Sequence, residues 1–180
     1  MVYVFLANGF EELEALSPID LLRRAGIETV TVGVGGSEIT AAHGVRFITD
    51  TTSDKIKLDD ELDMIVLPGG MPGTKNLEAS ADVQSAIDYC SENGKYISAI
   101  CAAPSILGHK GLLKGKVCTC FPGFENDLEG AKHNGALVAQ DGKIITAKGA
   151  GAALQLALKL VEVLTSAETS SALADSLQTR

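Results

Sequence analysis

Val2-Tyr-Val-Phe-Leu-Ala7, closed by Asn8-Gly9, is the stretch from which the fold is read. A strand with one wet face alternates apolar and polar residues, whereas an unbroken apolar run rich in β-formers belongs to a strand covered on both faces, as central parallel strands are. Met64-Ile-Val-Leu67, stopped by Pro68-Gly69-Gly70, repeats the pattern, and Tyr96 to Ile100 resumes it. Between the first two runs lie Leu13, Leu16, Ile19, Leu21 and Leu22, spaced among charges over residues 11–25 as a helical stripe that stops at Gly26. Pro18 leaves two readings of this helix: a kink within it, or the start of its main part with Ser17 as cap.

Working outward, Ile27 to Val34 reads as a strand turned by Gly35-Gly36, and Ile39-Thr40 and Val45 to Ile48 as minor strands. Residues 81–93 form an amphipathic helix ending at Gly94. A helical stretch from about Ala103 to His109 follows Cys101, and a strand is expected near Val117 to Thr119. Ala136 to Ala139 pairs with Lys143 to Thr146 as a hairpin across Asp141-Gly142. Gly149 to Leu164 is a long Ala/Leu helix, and the tail from Ser166 is one more. Strands alternating with helices predict a flavodoxin-like three-layer α/β/α sandwich with a mostly parallel central sheet and right-handed crossovers. Such sheets carry their functional groups beyond the carboxyl ends of the strands, near the point where strand order reverses. The loops at residues 8–14, 68–74 and 101–104 therefore matter most.

A chain of 180 residues with 46% hydrophobic content suits one α/β domain over residues 1–180 and is short for two. A net charge of −8 argues against nucleic acid or an anionic membrane as partner. No run approaches membrane-spanning length, and Val2 to Ala7 has neither the basic leader nor the length of a signal segment, so a soluble cytoplasmic protein is expected. Four cysteines, Cys90, Cys101, Cys118 and Cys120, are expected reduced. No metal is expected: Cys118-Thr-Cys120 has the wrong spacing for a zinc knuckle, and His43, His109 and His133 show no ligand grouping.

Ile97-Ser-Ala-Ile-Cys101-Ala-Ala-Pro104 puts a thiol between a buried strand and a helix, with small neighbours that allow a sharp turn, as in a nucleophile elbow. A helix N-terminus there would favour thiolate over thiol. The bland alternative is a small buried residue at a strand end. Leu67-Pro-Gly-Gly70 reads either as a plain turn or as backbone that aims N–H groups at an oxyanion. Glu11, Glu12 and Glu14 suit the start of a helix as solvated acids; alternatively, one of them turns inward and shares a proton with the cysteine.

Together, Gly9-Phe-Glu-Glu-Leu-Glu14, Arg23-Arg-Ala-Gly26, Leu67-Pro-Gly-Gly70, Ala99-Ile-Cys-Ala-Ala-Pro104 and Lys148-Gly-Ala-Gly151 resemble the ThiJ/PfpI superfamily over residues 1 to about 165, and within it the Parkinsonism-associated deglycase branch. The resemblance implies a cofactor-independent homodimer with Cys101 as nucleophile and redox-sensitive thiol. It further implies Glu14 as the carboxyl partner of that thiol, and the backbone N–H groups of Gly70 and Ala102 as the oxyanion site.

Two departures bear on activity. Ala102 stands where the family's proteases and amidases carry histidine, which argues against peptidase activity, and Phe121 stands where the deglycase branch often has histidine before a proline. His43, in a segment that in related dimers approaches the partner's cysteine, is a candidate base from the partner subunit. Cys118 and Cys120 read either as buried strand residues or as resolving thiols for an oxidised Cys101. The expected function is glyoxalase- or deglycase-type processing of reactive carbonyls, small aldehydes or glycated protein amines, in stress protection. The alternative is a redox sensor or chaperone with an oxidisable cysteine.

Overall fold

The computed structural model describes residues 1–179. β1 (Val2–Ala7) leads through α1 (Glu12–Arg24) to β2 (Thr29–Val34), the hairpin of β3 (Glu38–Thr40) and β4 (Arg46–Ile48), and the short β5 (Thr51–Thr52). β6 (Met64–Leu67), α2 (Gly73–Ala79), α3 (Ala81–Glu92), β7 (Tyr96–Ile100) and α4 (Pro104–His109) form the middle of the chain. β8 (Val117–Cys118), β9 (Lys132–His133), β10 (Val138–Asp141), β11 (Ile144–Ala147), α5 (Ala153–Leu164) and α6 (Ala167–Ser176) follow. Seven strands join in the order β10-β11-β7-β6-β1-β2-β5, parallel throughout except for β10 against β11. This is the mostly parallel, helix-covered sheet expected from the sequence.

β1 demonstrates why its run is unbroken. Tyr3, Phe5 and Ala7 join the core beneath α3 and α4, with Val83, Ile87, Ile106 and Leu107. Val2, Val4 and Leu6 point the other way, into the core made with α1 and α5, where Ala15, Leu22, Leu156 and Leu160 pack. Each residue removed from water contributes roughly 1.5–3 kcal/mol for a large apolar side chain, so a polar residue anywhere in β1 is unfavourable on either face. From β1 the chain adds β2 on one side and later β6 on the other, so strand order reverses between β1 and β6. The crevice above this reversal is where the loops after β1, β6 and β7 meet.

Of the two readings of Pro18, the one within the helix holds: α1 runs from Glu12 to Arg24 with buried Pro18 in its middle, and Ser17 does not cap a new start. Several other expectations are corrected. α2 was not expected: it opens on Gly73 without a side-chain cap, and its buried residues, Gly73, Thr74 and Leu77, make no apolar stripe. The hairpin lies one to two residues further on, with Asp141 opposite Ile144 and Gly142-Lys143 as its turn. Asp141 is held in the strand because its carboxylate accepts from the Val117 N–H at 2.9 Å. The last long helix begins at Ala153, after a 3-10 turn over Ala150–Ala152. Among the described residues, no helix is long and apolar enough to cross a membrane.

Candidate active site

Cys101 follows the last residue of β7 with φ +65°, one of two described non-glycine residues in the left-handed region. That conformation costs a residue with a side chain on the order of 1–3 kcal/mol, and it persists where neighbours fix it. Here the Cys101 N–H donates to the Ala147 carbonyl at 2.9 Å, and its own carbonyl accepts from the Phe121 N–H at 2.8 Å. Pro104 then starts α4 at its first turn. The backbone is pinned on both sides, and the thiol, partly buried, faces Glu14 and the Gly70 N–H from the crevice loops.

Two of those loops are joined backbone to backbone. Glu11 N–H donates to the Gly69 carbonyl at 2.9 Å, and Gly73 N–H to the Gly9 carbonyl at 3.2 Å. A Cβ on Gly70 would lie 2.5 Å from the Glu11 nitrogen and 2.6 Å from the Gly9 oxygen; one on Gly73 would lie 2.6 Å from the Phe10 nitrogen. Gly9 is closed off in the same way by Pro72. Gly69 is tight for a different reason: its Cβ would stand 2.7 Å from both Cys101 Cβ and Glu14 Oε2.

Glu14 is fully buried. Its Oε2 accepts from the Gly69 N–H at 2.9 Å, while Oε1 has no hydrogen-bond partner of ordinary geometry among the described residues; the other polar group facing the carboxyl is the Cys101 thiol. Burial pushes Glu14 up to about 7, although the Cys101 thiol and the Gly69 N–H favour its charged form. Burial also pushes the Cys101 thiol up to about 12, reinforced by the Glu14 charge and opposed by the N–H groups of Ala102 and Gly70. Burial and the facing carboxyl thus work against the thiolate that the helix N-terminus was expected to favour. α4 has six residues and offers little dipole, and two N–H donors do not offset burial together with a facing carboxylate. The arrangement is a thiol whose burial favours the neutral form beside a carboxyl raised by burial, the proton inventory a nucleophile with its own base would need.

The four groups expected at the site within the subunit, Cys101, Glu14, Gly70 and Ala102, are thus brought together. Gly69, not singled out in the sequence, contributes the donor that holds Glu14; the doubled glycine was the available signal. His43 is exposed, its N–H and Nδ1 both 2.8 Å from the Glu12 carboxylate. The groups bearing on the Cys101 thiol include no histidine. Burial works to raise Glu12, but hydrogen bonds from His43 and the backbone bring it below its ordinary value, and the bond to Glu12 raises His43. The expectation that no histidine groups with other ligands is corrected as well: Glu11, Glu12 and His43 each bring a ligand atom within 4.8 Å of the others. The direct Glu12–His43 hydrogen bonds account for this grouping without an ion. Cys118, in β8, and Cys120, two residues beyond its end, are both buried.

A mostly parallel α/β sandwich with a cysteine on a strand-end elbow, faced by a buried carboxyl, defines a class of cysteine-centred flavodoxin-like proteins. Within that class the chain belongs to the DJ-1/PfpI family, whose model matches residues 1–163. It is 35% identical over 168 residues to protein dj-1beta of Drosophila melanogaster, covering 92% of this chain and 89% of that protein. It is 30% identical over 164 residues to the glutathione-independent glyoxalase DJR-1.2 of Caenorhabditis elegans, covering 91% and 87%. Among solved structures, an oxidized DJ-1 of Toxoplasma gondii superposes with a TM-score of 0.92 at 34% identity, covering 98% of this chain and 97% of that one.

Proposed function

We propose that the protein is a cytoplasmic, cofactor-independent enzyme that converts 2-oxoaldehydes to 2-hydroxy acids, with Cys101 as nucleophile and Glu14 as proton carrier. The observation that carries this reading is the buried Glu14 carboxyl, raised to about 7, facing the Cys101 thiol. A base with that pKa is matched to work at neutral pH. Glu14 carboxylate takes the thiol proton as Sγ bonds to the aldehyde carbon, and the Gly70 and Ala102 N–H groups hold the carbonyl oxygen as it gains charge. The hemithioacetal carbon then loses its proton, and the adjacent ketone carbon gains one, giving a 2-hydroxy thioester. Water cleaves the thioester, so the sum is R–CO–CHO plus water to R–CH(OH)–COOH: the aldehyde carbon is oxidised, the ketone carbon is reduced, and the thiol returns. The similarity to a relative named a glyoxalase supports the same reading. The carbonyl of a glycated protein amine is open to the same attack. Peptide hydrolysis fits less well, because Ala102 and Phe121 leave no imidazole to protonate a leaving amine. Lactate production from methylglyoxal is the test, and turnover no greater than that of Cys101→Ala removes the proposal.

The reading includes a homodimer. Leu13 and Leu16 on α1 and Val45 and Ile48 around β4 are exposed, Ile48 at 81%, and the Glu12–His43 hydrogen bonds tie the two segments together. A second copy covering this face would bring His43 toward the partner's site as a base. A His43→Ala variant with full turnover and full thiol reactivity would eliminate that role.

A second reading, a redox sensor in stress protection, is favoured by the lack of an imidazole at the thiol and by a Glu14 that is half protonated near pH 7. Two equivalents of peroxide take the thiol to a sulfinate, with two waters released, and the protonated carboxyl donates to it. Mass spectrometry after mild peroxide treatment distinguishes the two: selective sulfinate at Cys101 without carbonyl turnover favours the sensor.

A further inference from the structure

Phe121 is placed unlike the other aromatic residues. Its N–H is held by the Cys101 carbonyl, so its backbone is fixed against the elbow. Its ring is 46% exposed and lies on Gly149, where a Cβ would come within 3.1 Å of ring carbon Cδ2. Leu137, 53% exposed, stands on the same cavity, tied in by the bond from the Lys148 N–H to the Leu137 carbonyl at 3.0 Å. The cavity has a volume of about 400 Å³ and is walled by Phe121, Pro122, Leu137, Gly149 and Ala150, with Lys148 as its charged residue. The core uses neither large side chain. An aromatic ring and a leucine lining an open slot, with the ring's own backbone N–H bonded to the Cys101 carbonyl, form the kind of apolar subsite that binds a substrate's non-reacting part.

We propose that this slot is the side-chain subsite of the reaction and that it selects 2-oxoaldehydes bearing an aromatic or extended apolar substituent over methylglyoxal. The inference rests on the reading of Cys101 as a carbonyl nucleophile. The stoichiometry is unchanged: phenylglyoxal plus water gives mandelate, with the aldehyde carbon oxidised and the ketone carbon reduced. A methyl group leaves the slot to water, whereas a phenyl ring enters it and stacks on Phe121. Apolar pockets discriminate on the order of tenfold or more per group they enclose.

Two measurements on the full chain separate the slot from the chemistry. The first is kcat/KM for phenylglyoxal and for methylglyoxal in the wild type, Phe121→Ala, Leu137→Ser and Cys101→Ala. The second is the rate at which Cys101 is alkylated by phenacyl bromide and by bromoacetone, with the modified peptide identified by mass spectrometry and the ratio referred to that of glutathione. The expected wild-type preference for the phenyl member is on the order of tenfold in both, falling toward the solution ratio in Phe121→Ala and Leu137→Ser. An alkylation ratio equal to that of glutathione, or one that neither variant alters, overturns the slot even if both aldehydes are turned over. A phenacyl preference lost in the variants, with no turnover of either aldehyde above Cys101→Ala, supports the slot and sinks the carbonyl-turnover reading.

Discussion

Replacing Glu14 by Gln removes one ionisation and little else, because the amide oxygen keeps the Gly69 N–H and the volume is nearly the same. Its effect on stability therefore isolates the burial of this carboxyl. A carboxyl raised from 4.5 to about 7 in the folded protein binds more protons folded than unfolded between those values, so it weakens the fold as pH rises through that window. Linkage gives a penalty of roughly 1 kcal/mol at pH 5 and roughly 3 kcal/mol at pH 8. The Cys101 thiol, raised to about 12, stays neutral across the range and adds nothing. Glu14→Gln should thus gain roughly 2–3 kcal/mol relative to the wild type between pH 5 and pH 8, or roughly 5–10 °C in Tm for a chain of this size. All other titrating groups are shared, so they cancel in the difference. Urea unfolding of both proteins at the two pH values is the assay. A difference between them that does not change with pH, or one that shrinks as pH rises, would refute a buried carboxyl titrating near neutrality.

The same ionisation sets the activity profile: kcat/KM with methylglyoxal should fall about tenfold per pH unit below 7, level off above it, and collapse in Glu14→Gln. Gly69→Ala should lose on the order of 1–3 kcal/mol and also disturb thiol alkylation, since the added Cβ meets both Cys101 and Glu14. Gly108→Ala serves as its counterpart, because that Cβ collides with the Asp127 carbonyl: stability should drop in a thermal melt, with the alkylation rate of Cys101 unchanged. Ile48→Lys should shift the sedimentation coefficient of the proposed dimer to that of a monomer, and an unchanged coefficient would rule this face out of the interface.

The layers of the fold were legible because two-sided burial writes a distinctive pattern. β1 and β6 read as unbroken apolar runs, and α1 and α3 as stripes. α2 escaped because a seven-residue helix with little buried surface writes no periodicity. The hairpin register escaped because Asp141 reads as a turn residue, and only its bond to Val117, 24 positions away, draws it into the strand. At the site, the cysteine elbow announced itself through small neighbours and a following proline. The three glutamates of the first turn did not separate on their own chemistry, yet Glu14 is in helical phase with buried Pro18, Leu21 and Leu22, and that phase was the signal available. The protonation of the thiol was not legible, because it depends on which carboxyl faces it and how deeply both are buried.

The glycine contacts between the loops after β1 and β6 make two segments some sixty residues apart behave as a single mechanical part. Helix α1, with its carboxyl, cannot tilt without dragging the Gly70 donor along, so the spacing between carboxyl, donor and sulfur is held by backbone contacts together with the bond from the Gly69 N–H to Glu14. Such a frame resists improvement by small steps, since a substitution at Gly9, Gly70 or Gly73 disturbs every element of the site at once. Freedom to change lies outside it. Positions 102, 121 and 43 sit on other segments and can exchange imidazole for methyl, ring or charge while the frame stays still. New substrates can be admitted by altering what surrounds the nucleophile, leaving the nucleophile where it is.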